Sequence, residues 1–241
     1  MNNRCKNINM DTNNILLSSY SITHGLRTIA IFLVLASISG QLSKFLVGNN
    51  SPIVKLFDLN REENIPSFFS ELILLIATLL LLLITIIKRA QKDRNISKWA
   101  ILSSGFLFMA FDEAFQIHER FVLPVRKLLG DGQLGIFYYA WVIPGITIVL
   151  FFSLFFLRFL LHLPAKTRRD FLISATIYLS GCVGFELIGG LYDELYGVNN
   201  LTSNMISTVE ESLEITGIIS FIRALLVYIT DNYDEVRLRF Q

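Results

Sequence analysis

The chain has 241 residues, of which 53% are hydrophobic and 17% are charged, and its formal net charge at pH 7 is +1. Its mean hydropathy of +0.53 is above that of soluble domains and indicates an integral membrane protein. The near-zero net charge argues against a nucleic-acid-binding protein, because such proteins carry a basic surface.

Six apolar runs are long enough to cross a bilayer, whose hydrocarbon core needs about 20 residues of helix. They lie at residues 27–48, 66–87, 98–119, 136–161, 171–192 and 205–230. The pattern predicts an all-α fold, a polytopic bundle of six transmembrane helices over residues 26–232. Residues 1–25 are polar and rich in Asn, so we predict a disordered cytoplasmic leader there and a short cytoplasmic tail at 233–241.

Lys and Arg residues predict the orientation of the helices, because the cytoplasmic loops of membrane proteins carry an excess of them. With the N-terminus inside, 14 of the 21 basic residues fall on the cytoplasmic side and six on the outer side, and Arg223 lies in the last span. This bias predicts that both termini are cytoplasmic in a multi-pass protein of a bacterial inner (plasma) membrane.

The third span ends in a block that contains Asp112, Glu113, His118 and Glu119. At about 100° per residue, Asp112 and Glu119 share a narrow stripe of an ideal helix, with Glu113 on its flank. His118 points roughly 100° or more away from this stripe, so it joins these acids only if the helix unwinds or ends before it.

The region around the fourth span combines a helix breaker with aromatic residues. Pro144 is predicted to kink the span, because proline removes a backbone hydrogen bond. Tyr138, Tyr139 and Trp141 are predicted to anchor its outer end at the membrane interface, with stacking on a ligand as the alternative. The preceding segment, 123–135, is predicted to lie along the outer surface as a lid or interfacial turn.

The fifth span is predicted to be a central helix, because small residues such as Gly181 and Gly184 permit tight helix crossings in membranes. It also carries Glu186. The sixth span carries three further acids in its first turns, Glu210, Glu211 and Glu214.

The predicted topology brings eight acidic residues to one depth, in the outer third of the membrane. An ionised carboxylate in a membrane helix costs about 2.5–3.5 kcal/mol, so eight of them indicate a functional site. They are Glu71, Asp112, Glu113, Glu119, Glu186, Glu210, Glu211 and Glu214.

Carboxylates that project from several helices hold metal ions in some helix bundles, although the Glu-x-x-His spacing of those proteins does not occur in this sequence. The ion expected here is divalent, Mn, Fe, Mg or Ca, or Zn if His118 takes part. We predict Asp112 and Glu113 as catalytic residues. The predicted metal ligands are His118, Glu119, Glu186, Glu211 and Glu214.

Three functions are compatible with such a site. An enzyme would use the metal to activate water or oxygen and would act on a lipid or lipid-linked molecule from the outer leaflet. A proton-coupled transporter or proton relay would exchange protons for a cationic small molecule. The third function is that of a structural subunit of a membrane complex. A site away from the membrane midplane, in a sequence without an evident internal repeat, favours the enzyme over the transporter.

Three acidic blocks resemble those of a group of small uncharacterised bacterial six-helix membrane proteins. The blocks are Phe111-Asp112-Glu113 through Ile117-His118-Glu119, Gly184-Phe185-Glu186, and Glu210-Glu211 through Glu214-Ile215-Thr216-Gly217. The resemblance covers residues 98–230 and implies a six-helix membrane protein, but it implies no activity and no ligand.

Overall fold

The computed structural model describes residues 19–130 and 132–233, and these are predominantly α-helical. The helices are α1 Ser19–Val47, α2 Pro52–Leu56, α3 Ile65–Ala90, α4 Ile96–Phe115, α5 Ile117–Leu129, α6 Val142–His162, α7 Ala165–Leu179, α8 Glu186–Tyr196 and α9 Leu201–Asn232. A π-helical segment, Ser180–Phe185, joins α7 to α8, and a 3-10 turn, Gly135–Phe137, precedes α6. The predicted all-α fold is confirmed.

Five helices are long and apolar enough to cross a membrane: α1, α3, α6, the continuous helix Ala165–Tyr196, and α9. A sixth span results if α4 and α5, which are bent by 79° at their junction, are counted as one. These helices coincide with the six predicted apolar runs, apart from the boundaries discussed below.

Helix α1 begins at Ser19, so residues 19–25 are helical and their assignment to a disordered leader is wrong. The helix extends this far because Thr23 is buried in the bundle and its hydroxyl donates to the Ser19 carbonyl. The rest of the predicted leader and the tail from residue 234 onwards lie outside the described residues.

The core of the bundle forms where α3 packs against α4 and α9. Ile73, Ala77, Leu81 and Ile84 lie along one face of α3 and are fully buried. Their spacing of three or four residues is that of one helix stripe, and buried α9 residues such as Ile222 belong to the same core. The sequence therefore specifies this packing through ordinary helical periodicity.

The bundle has two chemically different ends. We call the end with the α3–α4 and α6–α7 connections the aromatic end, because Trp99 is buried there. Its ring centroid lies 5.1 Å from that of Phe159, 6.3 Å from that of Phe171 and 5.1 Å from that of Tyr228. The opposite end, with the α2–α3 and α4–α5 connections, carries the predicted site residues, and we call it the acidic end.

The third predicted span, 98–119, is wrong beyond Phe115, where α4 ends. Gln116 takes the left-handed conformation, with φ 51° and ψ 45°, and α5 leaves at 79° to α4. The physical reason is a competing hydrogen bond, since the Asp112 carboxylate accepts the backbone N–H of His118 at 2.8 Å. A side chain thus caps the chain at the point where the helix ladder stops.

The predicted kink at Pro144 is also wrong. Helix α6 begins at Val142, so Pro144 occupies its first turn. The backbone N–H that proline lacks would have no partner inside the helix there, so the residue starts the helix without bending it.

Two glycines mark the closest approach between the α7–α8 helix and α9. A Cβ atom on Gly181 would lie 2.8 Å from the Glu210 carbonyl oxygen, and one on Gly217 would lie 2.7 Å from the backbone nitrogen of Tyr178. At Gly184 the nearest atom would be 4.0 Å away, so the close crossing predicted for that residue is wrong. The helix is tightly packed at Gly181 and open at Gly184.

Candidate functional site

His118 and Asp112 form the most defined polar pair at the acidic end. Nδ1 of His118 lies 3.0 Å from Oδ2 of Asp112, and Oδ1 of the same carboxylate accepts the His118 backbone N–H. The bend at Gln116 creates this contact and meets the condition under which the sequence predicts that His118 joins the acids. Both side chains are about a quarter exposed, at 29% and 26%, so the pair is open to a ligand.

Trp141 connects this pair to the next helix. Its ring centroid lies 4.8 Å from that of His118, and its Nε1 donates a 2.6 Å hydrogen bond to Oε1 of Glu186 at the start of α8. The sequence pattern predicts Trp141 as a membrane anchor, whereas its polar atom is bound inside the protein. Tyr139 behaves in the same way, because its hydroxyl donates to Oδ2 of Asp193 at 2.6 Å.

A π-helical segment sets the position of Glu186. The segment Ser180–Phe185 ends one residue before Glu186, and a π turn rotates the helix that follows it relative to an α-helical continuation. Gly181 within this segment lets α9 approach at Glu210 and Glu214. Glu186 thereby becomes an electrostatic neighbour of Glu210 on α9.

Several predicted site residues from different helices lie close together. Glu113 of α4 is near enough to His118 and Asp112 for electrostatic interaction, and Glu214 of α9 is near enough to Glu113, His118 and Glu186. Glu211 has Glu214 and Glu113 as neighbours. Most of these side chains are half-buried, whereas Glu119 is exposed.

Glu62 also belongs to this region, and the sequence pattern did not identify it. It lies in the 57–64 loop before α3, with Glu119 and His118 among its electrostatic neighbours. Burial raises the pKa of the Glu62 carboxyl, and the nearby Glu119 carboxylate raises it further. The acids of the predicted site all lie in apolar runs, whereas Glu62 lies in the connection between the first two runs, and this position was the only sequence signal for it.

A buried polar network holds the Glu62 loop in place. Gln41 of α1 is fully buried, and its Nε2 donates to Oδ1 of Asp58 at 3.1 Å and to the Thr208 hydroxyl of α9 at 3.0 Å. The Asn64 side chain donates to the Asp58 carbonyl at 2.7 Å and caps α3 in a reciprocal pair with Ser67. The loop is therefore tied to three helices.

The predicted metal ligands do not form a ligand set. Within residues 19–130 and 132–233, no three His, Cys, Asp or Glu side chains are arranged so that they could hold a metal ion. The structure brings His118, Glu186, Glu211 and Glu214 to the same end of the bundle but not to ligand distances from one centre.

Basic side chains do not balance these acids in the part of the chain that the structure describes. The ion pairs of Lys and Arg there are Lys88–Asp93, Lys166–Asp231 and Arg169–Asp170, all at the aromatic end. Arg126, one of the basic residues at the acidic end, donates to the Tyr138 carbonyl at 3.0 Å.

Comparison with known proteins gives a family but no activity. A family model described as Domain of unknown function (DUF8692) matches residues 26–229, which is most of the chain. No curated protein and no solved structure matches this chain.

Proposed function

We propose that this chain, which belongs to the DUF8692 family, is an integral membrane enzyme with its active site at the acidic end of the bundle. Its long apolar helices support a place in the membrane. The excess of basic residues toward the aromatic end supports a cytoplasmic location of that end and of both termini. The acidic end then faces the outer leaflet of a bacterial inner membrane.

The Asp112–His118 pair is the observation that carries the enzymatic assignment. A carboxylate bound to Nδ1 orients the imidazole and stabilises its protonated form, which leaves Nε2 to accept a proton from a substrate hydroxyl or a water molecule. Asp112 is then the positioning residue and His118 the general base. Glu113, a carboxyl group with His118 and Asp112 as electrostatic neighbours, would donate its own proton to the leaving group as the general acid, and His118 would release the proton it has taken to solvent at the end of the reaction.

The aromatic end argues against a transporter or a proton relay. A transported ion needs polar groups along its whole path, and they would have to continue beyond the acidic end. The opposite half of the core contains Leu81, Ile84, Trp99, Ile222 and Leu225, all of them fully or almost fully buried. The polar region is therefore closed at its inner side, as a site for chemistry on a molecule from the outer leaflet would be.

A lipid or lipid-linked molecule is the proposed substrate. The site opens at the end of an apolar bundle, so an amphiphilic molecule could keep its acyl chains in the leaflet while its polar part reaches His118. The bond to be broken or formed would lie in that polar part.

The unbalanced acids favour a bound cation as a second component of the site. We propose that a divalent ion (Mn, Fe, Mg, Ca or Zn) or a cationic group of the substrate lies near Glu186, Glu211 and Glu214, because carboxylates without basic partners attract positive charge. Side chains would have to move to ligate a metal, since the described residues form no ligand set. The general-base role of His118 does not depend on this ion.

Lipid analysis of membranes that contain the protein tests the enzymatic proposal. The parent and two variants, His118→Gln and Asp112→Asn, would be reconstituted with mixed bacterial lipids, and the products followed by mass spectrometry. We expect conversion to fall by at least about 100-fold in His118→Gln, the usual contribution of a general base. His162→Gln is the control, because His162 is exposed at the aromatic end. Equal conversion by the parent and His118→Gln would overturn the assignment.

Metal analysis tests the cation proposal separately. Purified parent protein should hold a divalent ion, and Glu214→Gln should lower its occupancy because an amide keeps the shape of the side chain but loses its charge. Glu63→Gln, at an exposed position, should leave the occupancy unchanged. A parent protein without metal, and without stabilisation by any of the five ions, would leave only a cationic substrate group to fill this role.

A further inference from the structure

We infer that α5 lies in the outer membrane interface and forms the surface along which a lipid approaches His118. The partner of the α5 surface is the lipid leaflet. The approach of a substrate along this surface rests on the proposed function, whereas the position of α5 in the interface does not.

The direction of α5 supports an interfacial position. Helix α4 has 20 residues and counts as a membrane span only together with α5, which leaves it at 79° after the left-handed Gln116. A helix at this angle to a transmembrane helix runs nearly parallel to the membrane plane. Its 13 residues are too few to cross the hydrocarbon core, which needs about 20.

The two sides of α5 differ as interfacial helices require. Phe121, Pro124 and Leu128 fall within one arc at about 100° per residue, and Phe121 and Leu128 are 52% and 86% exposed. Glu119 and Arg126 fall on the opposite side. One side is thus suited to acyl chains and the other to water and lipid head groups.

Lipid is the occupant that the surroundings of this surface indicate. The last turn of α4 carries Phe111 and Phe115, which are 50% and 55% exposed and have stacked rings with centroids 6.1 Å apart. The apolar surface of the span therefore continues around the bend onto α5. A protein partner would need a surface that fits both the side of the span and the apolar side of the interfacial helix. A lipid leaflet contacts both, because its acyl chains surround the span and lie beneath the interfacial helix.

The same helix carries the proposed general base. His118 lies in the first turn of α5, and two of its atoms bind Asp112 on α4. Further along α5, the Arg126 guanidinium donates to the Tyr138 carbonyl and lies 4.9 Å from the centre of the Tyr138 ring. With α5 fixed at both places, a lipid head group at its surface would lie beside His118.

Fluorescence quenching in vesicles tests the position of α5. A polarity-sensitive fluorophore would be attached at Leu128→Cys or Leu123→Cys, with Cys5 and Cys182 replaced by Ser. Leu123 is the matched control, since it is a leucine of the same helix, 69% exposed, but on the polar side. Shallow spin-labelled phospholipids should quench the label at position 128 severalfold more than the label at 123. Equal quenching at both positions would overturn the interfacial placement.

Substitution with Glu tests the entry of the substrate. Leu128→Glu should lower lipid conversion more than Leu123→Glu, because a charge on the apolar side lifts α5 from the leaflet. Equal conversion by the two variants would overturn the entry path. Differential quenching in a parent protein that converts no lipid would support the interfacial placement while the proposed enzymatic function failed.

Discussion

Gly217 offers the sharpest test of how α9 packs against α7. A Cβ at this position would lie 2.7 Å from both the nitrogen and the Cβ of Tyr178, distances that backbone atoms cannot tolerate without moving. We expect Gly217→Ala to destabilise the protein, since overpacking of a tight contact costs about 1–3 kcal/mol. Helix propensity alone favours Ala by about 1 kcal/mol, so it opposes this effect.

Gly184→Ala is the matched control, because an added Cβ there would have its nearest neighbour at 4.0 Å. The propensity gain is similar for both variants, so their difference in unfolding free energy reports the overpacking, about 1–3 kcal/mol. For a chain of this size each kcal/mol shifts Tm by roughly 2–4 °C, and thermal unfolding in detergent would resolve it. Equal Tm values for the two variants would refute the close crossing of α7 and α9.

Two further predictions concern single contacts of the acidic end. Trp141→Phe keeps an aromatic ring beside His118 but removes the hydrogen-bond donor to Glu186. We expect this variant to lose about 1–3 kcal/mol of stability in thermal unfolding. If the effects of Trp141→Phe and Glu186→Gln on stability were additive, the contact between the two residues would be contradicted. Glu62→Gln should make the stability of the protein less dependent on pH. The pKa of the Glu62 carboxyl is raised in the folded protein above its ordinary value of 4.5. Ionisation of Glu62 therefore destabilises the folded protein as the pH rises from 4.5 toward the folded-state pKa. Between about pH 4 and pH 8, Tm should fall less in Glu62→Gln than in the parent protein. Glu63→Gln is the control, because Glu63 is exposed. A dependence of Tm on pH that is the same in Glu62→Gln as in the parent or in Glu63→Gln would contradict the prediction.

The helices could be predicted from the sequence because hydropathy over some 20 residues depends on little but side-chain composition. Their ends could not, because single hydrogen bonds decide them. At Gln116 the Asp112 side chain takes the N–H that a continuing helix would use. At Pro144 the difference between kinking a helix and starting one depends on where the preceding turn ends.

The site was predictable to the same limited extent. Acids in apolar runs pointed to one end of the bundle, where the structure places them, but Glu62 lies in a polar loop outside these runs. Trp141 has the residue type and the sequence position of an interfacial anchor. Its actual partner, Glu186, is 45 residues away and becomes visible only after the helices are packed.

The bend at Gln116 accounts for both the proposed base and the proposed lipid surface. On a straight helix Asp112 and His118 would be separated by six residues, a rise of about 9 Å, and their side chains could not form a 3.0 Å contact. A straight helix would also carry Phe121 and Leu128 out of the leaflet into water, where their exposure would be unfavourable. The left-handed Gln116 returns His118 to Asp112, and in the proposed membrane arrangement it would also turn the apolar side of α5 toward the lipid. The general-base and interfacial roles therefore share one structural origin, and loss of the bend should abolish both together.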